Sequence, residues 1–168
     1  GKPVRSVVAA ILLITLLLPL RGHAGAPFET AEDVVAALRG AKTTAQVDAV
    51  WRQITALGPA PLVFDDTAVF LYRGKASSVA WVGDFTRWRS GDPLTGERVA
   101  ADVWLARAEF PRDARFDYKV RVDGAERLDP LNPRKQLGMY GYRSVVTMPG
   151  YVASPWTVAK GGVAKGQV

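Results

Sequence analysis

Arg115-Phe116-Asp117-Tyr118-Lys119-Val120-Arg121-Val122 is the stretch whose reading decides the fold. Phe116, Tyr118, Val120 and Val122 fall on one side of an extended chain and Asp117, Lys119, Arg121 and Asp123 on the other. That period of two is what a half-buried antiparallel strand requires. Asp123-Gly124 follows at once as a hairpin-turn signal. Arg127-Leu128 then begins a returning edge before Asp129-Pro130-Leu131-Asn132-Pro133 breaks it.

Working outward, Thr67–Arg73 (TAVFLYR), Ser78–Val82 (SVAWV) and Val103–Phe110 (VWLARAEF) are short, rich in aromatic and β-branched residues, and separated by Gly, Pro and Asp. Ser144–Met148 supplies a last run before Pro149-Gly150. Six or seven short strands in roughly 90 residues predict a β-sandwich. Trp81 and Trp104 sit in these alternating runs beside apolar partners and read as core. Asp129 and Asp123 bracket a hairpin and read as turn-capping carboxylates rather than a metal or acid/base pair.

Upstream of Pro61 the period is 3.6. Thr30 with Asp33 three residues on is a capping-box-like start, followed by Val34, Val35 and Leu38 on one face and a stop at Gly40. Thr43 with Gln46 caps a second helix, whose apolar face is Val47, Val50, Trp51, Ile54 and Leu57 before Gly58-Pro59 ends it. Helices with single apolar stripes must dock, on the next module or on a partner domain.

The chain has 168 residues, 48% hydrophobic and 23% charged, with no Cys and one His. Disulfide scaffolds and thiolate metal sites are thereby excluded. The net charge of +6 comes from the ends: Lys2, Arg5, Arg21, Lys160 and Lys165 lie in terminal stretches without an acid. What remains is 17 basic against 16 acidic side chains. The body lacks the concentrated basic face that nucleic-acid binding needs, so no nucleic-acid partner is expected.

Lys2 and Arg5, the apolar run Val7–Leu20 and the small residues from Gly22 to Ala26 follow the order of a secretory signal peptide. An apolar run of 14 residues is short for a membrane span, which needs about 20. Cleavage is expected after Ala24, with Ala26 as the alternative, leaving an exported protein, periplasmic or secreted, with no membrane segment. Export also removes His23, the sole imidazole, so no Ser-His-acid triad or His-bearing metal site can be built from what is left. Neither G-x-S-x-G nor a Gly-rich phosphate loop occurs. The segment is therefore expected to hold no catalytic residue, metal or cofactor of its own. The expected organisation is residues 1–24 as signal peptide, 25–60 as a helical segment, 61–151 as the sandwich and 152–168 as a linker.

Two stretches go beyond a generic sandwich. They are Val79-Ala80-Trp81-Val82-Gly83-Asp84-Phe85-Thr86-Arg87-Trp88, and Phe116 to Gly124 followed by Asp129-Pro130. They resemble the "V-x-G-x-F-x-x-W" and "Y-x-Y-x-V-D-G … D-P" signatures of early-set immunoglobulin-like domains. That group includes the starch- and glycogen-binding modules of branching enzymes and of the AMP-activated kinase β subunit. The fold implied is mainly β, an immunoglobulin-like early-set β-sandwich preceded by a signal peptide and two short α-helices. Asp129–Pro133 and Ser144–Tyr151 further resemble the end of the N-terminal domain of exported bacterial esterases related to enterochelin esterase.

This second resemblance implies a non-catalytic N-terminal accessory domain that docks on, and shapes access to, a downstream α/β-hydrolase domain of the same polypeptide. That domain would carry the serine-esterase triad, and residues 152–168 would lead into it. The alternative is a freestanding exported carbohydrate-binding module with a glycan partner. In the glycogen-binding relatives a sugar stacks on two Trp rings helped by a Lys. Trp88 matches the first Trp and Lys119 the Lys, while Glu126 stands where the second Trp would be. Leu137 and Arg143 complete the glycan candidates. Arg134, Lys135, Tyr140, Tyr142 and Arg143, with Gly138 and Gly141, read as a basic and aromatic loop suited to a partner interface.

Overall fold

Thr30 Oγ1 accepts the N–H of Asp33, whose carboxylate accepts the N–H of Thr30 in return, and this box starts helix α1 (Ala31–Gly40). Thr43 and Gln46 make the same exchange at the start of α2 (Thr44–Thr55). Each box satisfies donors that a helix start leaves unpaired. The computed structural model describes residues 28–89 and 91–155, so the expected leader, His23 and residues 156–168 of the expected linker lie outside the described residues.

Ten strands follow: β1 (Leu62–Phe64), β2 (Thr67–Arg73), β3 (Val79–Gly83), β4 (Leu94–Thr95), β5 (Glu97–Ala100), β6 (Val103–Glu109), β7 (Arg115–Val122), β8 (Ala125–Arg127), β9 (Lys135–Gly138) and β10 (Gly141–Thr147). They form two antiparallel sheets, ordered β1-β2-β6-β5 and β4-β3-β7-β10-β9. The second half of β7 also pairs with β8 through the Asp123-Gly124 hairpin. The protein is thus mainly β, an immunoglobulin-like sandwich with two short helices.

Alternation dictates the packing. Phe70, Trp104 and Ala106 from the first sheet meet Trp81, Tyr118, Val120 and Val146 from the second. The other face of the first sheet is equally apolar: Val69, Leu71, Val103 and Leu105 pack with Val34, Leu38, Val47 and Ile54 of the helices. The helices therefore form a third layer, and the stripe on each finds its cover within this chain. Burying side chains such as Leu38 and Ile54 contributes roughly 1.5–3 kcal/mol each.

Three expectations need correction. The described residues hold ten strands rather than six or seven, because β1, β4, β5 and β9 have two to four residues each and are defined by their partners, while the returning edge expected at Arg127-Leu128 is β8. Leu57 lies past the end of α2 and is 41% exposed, so it does not extend the apolar stripe. Residues 135–143 are no loop. They form the β9–β10 hairpin, with Gly138 opposite Gly141 and only Met139-Tyr140 in the turn. Gly141 has φ +102, a conformation that glycine adopts without strain.

Candidate functional site

Trp88 is positioned by the chain between β3 and β4. Gly83 opens it because β7 passes so close that an added Cβ would stand 2.4 Å from the Asp117 carbonyl oxygen. A short 3₁₀ turn, Asp84–Thr86, follows, then Arg87 and Trp88 with φ 54 and 57. Consecutive left-handed residues other than glycine cost on the order of 1 kcal/mol each. Hydrogen bonds hold them. Arg87 and Trp88 donate their N–H groups to Asp84 and Gly83 carbonyls at 3.0 and 2.9 Å. The indole Nε1 donates to Asp84 Oδ1 at 2.8 Å, while Asp84 Oδ2 accepts the N–H of Asp117 at 2.8 Å. One carboxylate therefore fixes the ring and ties its turn to β7.

Arg143 comes to the same ring from the other end of the sheet, its guanidinium carbon 4.4 Å from the Trp88 centroid. Behind it lies Gly138, where a Cβ would stand 3.1 Å from Arg143 Nε. The guanidinium is layered between the Trp88 ring and the β9 backbone, an arrangement favoured by cation–π attraction. Val82 pairs with Lys119, and Arg143 lies one step beyond the Ser144–Tyr118 pair, opposite Gln136. Register thus sets Val82, Lys119, Arg143 and Gln136 in one row across the outer face.

The β9–β10 hairpin carries the remaining candidates. Leu137 and Tyr142 are a cross-strand pair, and Lys135 Nζ lies 4.9 Å from the Tyr142 ring. Leu137, Met139, Tyr140 and Tyr142 are 63%, 86%, 81% and 50% exposed. Four large apolar side chains on one hairpin make a patch of the composition found at the centres of interfaces.

Of the six predicted residues, Trp88 and Arg143 are in contact, Lys119 stands beside Arg143 in the row, and Leu137, Tyr140 and Tyr142 share the adjoining hairpin. Asp84 and Met139 are not among the predicted residues, and Gly138 reads from the sequence only as a loop glycine. Asp84 was visible within the V-x-G-x-F-x-x-W stretch, whereas Gly138 matters only through a register that no local pattern encodes. Glu126, at the position of the second platform Trp, is ion-paired to Arg121 at 2.8 Å.

The Asp129–Pro133 segment is structural. Asp129 Oδ1 accepts the N–H of Leu131 and Oδ2 accepts the Tyr118 phenol at 2.7 Å. Asn132 donates to Tyr118 Oη and to the Val145 carbonyl, and Ser144 Oγ accepts the N–H of Asp129. Burial pushes the Asp129 carboxyl up against the lowering effect of those bonds. Burial and the Asp129 charge push the Tyr118 phenol well above its ordinary value, keeping it a neutral donor. Trp81 and Trp104 are buried at 0% and 8% exposure, as core residues. Among the described residues no three His, Cys, Asp or Glu side chains are grouped to hold a metal ion, and no helix is long and apolar enough to cross a membrane.

No known protein family and no curated protein matches the chain. Solved structures do. The enterobactin esterase of Shigella flexneri, determined with 2,3-dihydroxy-N-benzoyl-serine, is 18% identical with a TM-score of 0.50, over 64% of this chain and 36% of the esterase. The same enzyme with enterobactin gives 18%, 0.50, 64% and 37%. The ferric enterobactin esterase of Salmonella typhimurium gives 18%, 0.48, 64% and 38%. The first two likenesses show that the fold occurs within esterases of this kind. The match spans little more than a third of their length.

Proposed function

We propose that this chain is the non-catalytic N-terminal accessory domain of an exported α/β-hydrolase-type serine esterase. It docks on the catalytic domain and shapes access to it. The observation that carries this reading is the hairpin tip: Leu137, Met139, Tyr140 and Tyr142 project into solvent from a base pinned by the Trp88–Arg143–Gly138 stack. Large aromatics held on a rigid mount can dock with little loss of side-chain freedom. The likeness to a third of an enterobactin esterase supports the kind of partner. The basic, apolar and small-residue order of the first 26 residues supports export, to the periplasm or beyond.

Reading the gene past Val168 is the first test, because a hydrolase domain with G-x-S-x-G is expected there and an immediate stop codon would end the proposal. In the full-length enzyme, Tyr140→Ser with Tyr142→Ser should raise KM for bulky esters about tenfold, the scale of losing an interface hot spot, while leaving kcat for a small acetate ester unchanged. Unaltered kinetics for both substrates would exclude a role in access.

A freestanding glycan-binding module is the second reading, favoured by a partly exposed Trp88 stacked on Arg143, which stands beside Lys119 in the outer row. Affinity electrophoresis in glycogen, starch and β-glucan gels separates the two. Unchanged mobility is expected under the accessory-domain reading, and retardation abolished by Trp88→Ala would favour the module.

A further inference from the structure

A further concavity lies along the open side of the sandwich, between the edge strand β1 and the end of β10, and of the candidate residues above only Arg134 lines it. Its volume is about 510 Å³, within the range of pockets that take small organic ligands. Phe28, Val63, Val146, Met148 and Tyr151 bring apolar and aromatic side chains to a lining that also presents polar groups, and Arg134 is the sole charged residue in it.

Among the described residues, Arg134 is one of the arginines that no carboxylate engages. Arg39, Arg73, Arg107, Arg112, Arg115 and Arg121 each meet a carboxylate. Among the described residues, the guanidinium of Arg134 has one partner, Thr147 Oγ1 at 3.0 Å. A guanidinium carries five N–H donors, so four are left to offer. Backbone alternation adds another. Val145 donates its N–H toward the β9 side, to the Arg134 carbonyl, and Met148 donates the opposite way, to Ala114. The N–H of Thr147 therefore turns to the uncovered edge beyond β9, next to the guanidinium.

We infer that this groove binds a single-chain anionic amphiphile, a free aliphatic carboxylate, with its head on Arg134 and the Thr147 edge and its hydrocarbon along the apolar walls. The charge pattern of the molecule supports the assignment. A groove of about 680 Å³ beside the start of α1 is lined by Glu29, Glu32, Asp65, Asp66 and Glu109 against one cation, Arg107, which is paired to Glu32, and its net negative charge would disfavour such a ligand. The inference concerns a different surface from the hairpin and does not depend on the proposed accessory role.

Calorimetric titration of the purified chain with decanoate, below its micelle concentration, tests it. One saturable site is expected. It should weaken about tenfold in Arg134→Gln, the loss of a charge-assisted contact, and less in Arg134→Lys, which keeps the charge but not the forked donors. Shortening to octanoate should also weaken binding, by up to about fifteenfold if both lost methylenes are fully buried, since each contributes about fourfold. Decyltrimethylammonium should not saturate the site. Equal affinity in wild type and Arg134→Gln, equal binding of the cationic amphiphile, or absence of any saturable site would overturn the inference. So would binding confined to phosphatidylglycerol vesicles, which would place the anion in a membrane surface.

Discussion

Asp129→Ala is expected to lower the free energy of unfolding by about 2–4 kcal/mol, read as a shift in denaturation midpoint with an unchanged slope. Asp129 is 3% exposed, Tyr118 and Ser144 are 0% exposed, and the carboxylate accepts from both the Tyr118 phenol and the Leu131 N–H. Truncation leaves the buried Tyr118 hydroxyl and the part-buried Leu131 N–H without their acceptor, at about 1–3 kcal/mol for a buried donor, partly offset because a desolvated carboxylate disappears with them. The pH dependence has a definite sign. Burial raises the folded-state pKa of Asp129, so the stability linked to this group is complete below the ordinary value near 3.8 and is lost as pH rises through the folded value. The advantage of wild type over Asp129→Asn should therefore shrink as pH climbs through that window. A cost below about 1 kcal/mol for Asp129→Ala, or an advantage that grows with pH, would contradict this account of the network.

The same network shows what the sequence carries and what it does not. Arg115–Val122 and Thr67–Arg73 were readable to the residue, and both helix starts could be placed at Thr30 and Thr43 from capping boxes. In each case the signal is local: a period or a side chain reaching three residues along. Asp129 as a turn-former was equally legible, but its bonds to Tyr118 and Ser144 depend on β7 and β10 lying side by side. The short strands escaped for a related reason. Lys135-Gln136-Leu137-Gly138 has no alternation of its own and becomes a strand because β10 offers it a ladder. Double-sided burial hid further information. Ala68 to Tyr72 are all buried, and only the arrival of the helices explains why Val69 and Leu71 are apolar too. The candidate site is harder still. Trp88 and Arg143 could each be proposed by resemblance, yet their stacking requires a left-handed turn at one end of the sheet and a hairpin at the other.

Phe70→Ala carries the largest expected effect, a loss of about 3–5 kcal/mol against the roughly 5–15 kcal/mol typical of a single domain. Phe70 is fully buried at the centre of an aromatic group, with ring centroids 5.7 Å from Trp81, 5.5 Å from Phe85, 6.3 Å from Phe110 and 5.3 Å from Tyr118. Removing it withdraws apolar area from the core and leaves a cavity whose walls are large rings on both sheets, which cannot close in without breaking strand pairing. Phe70→Leu, which refills much of the space, should cost markedly less. The substitution also reaches the outer face. Phe85 belongs to the 3₁₀ turn that leads into Trp88, and it packs on Phe70, Phe110 and Phe116. With one of those supports gone, the turn loses the packing that holds Arg87 and Trp88 in their left-handed conformations, and Arg143 loses the ring it rests on. Amide exchange in residues 84–89 of Phe70→Ala should therefore accelerate more than in α1, whose core contacts lie on the opposite face of the first sheet. Equal acceleration in both segments would mean that the core supports the stack only through global stability.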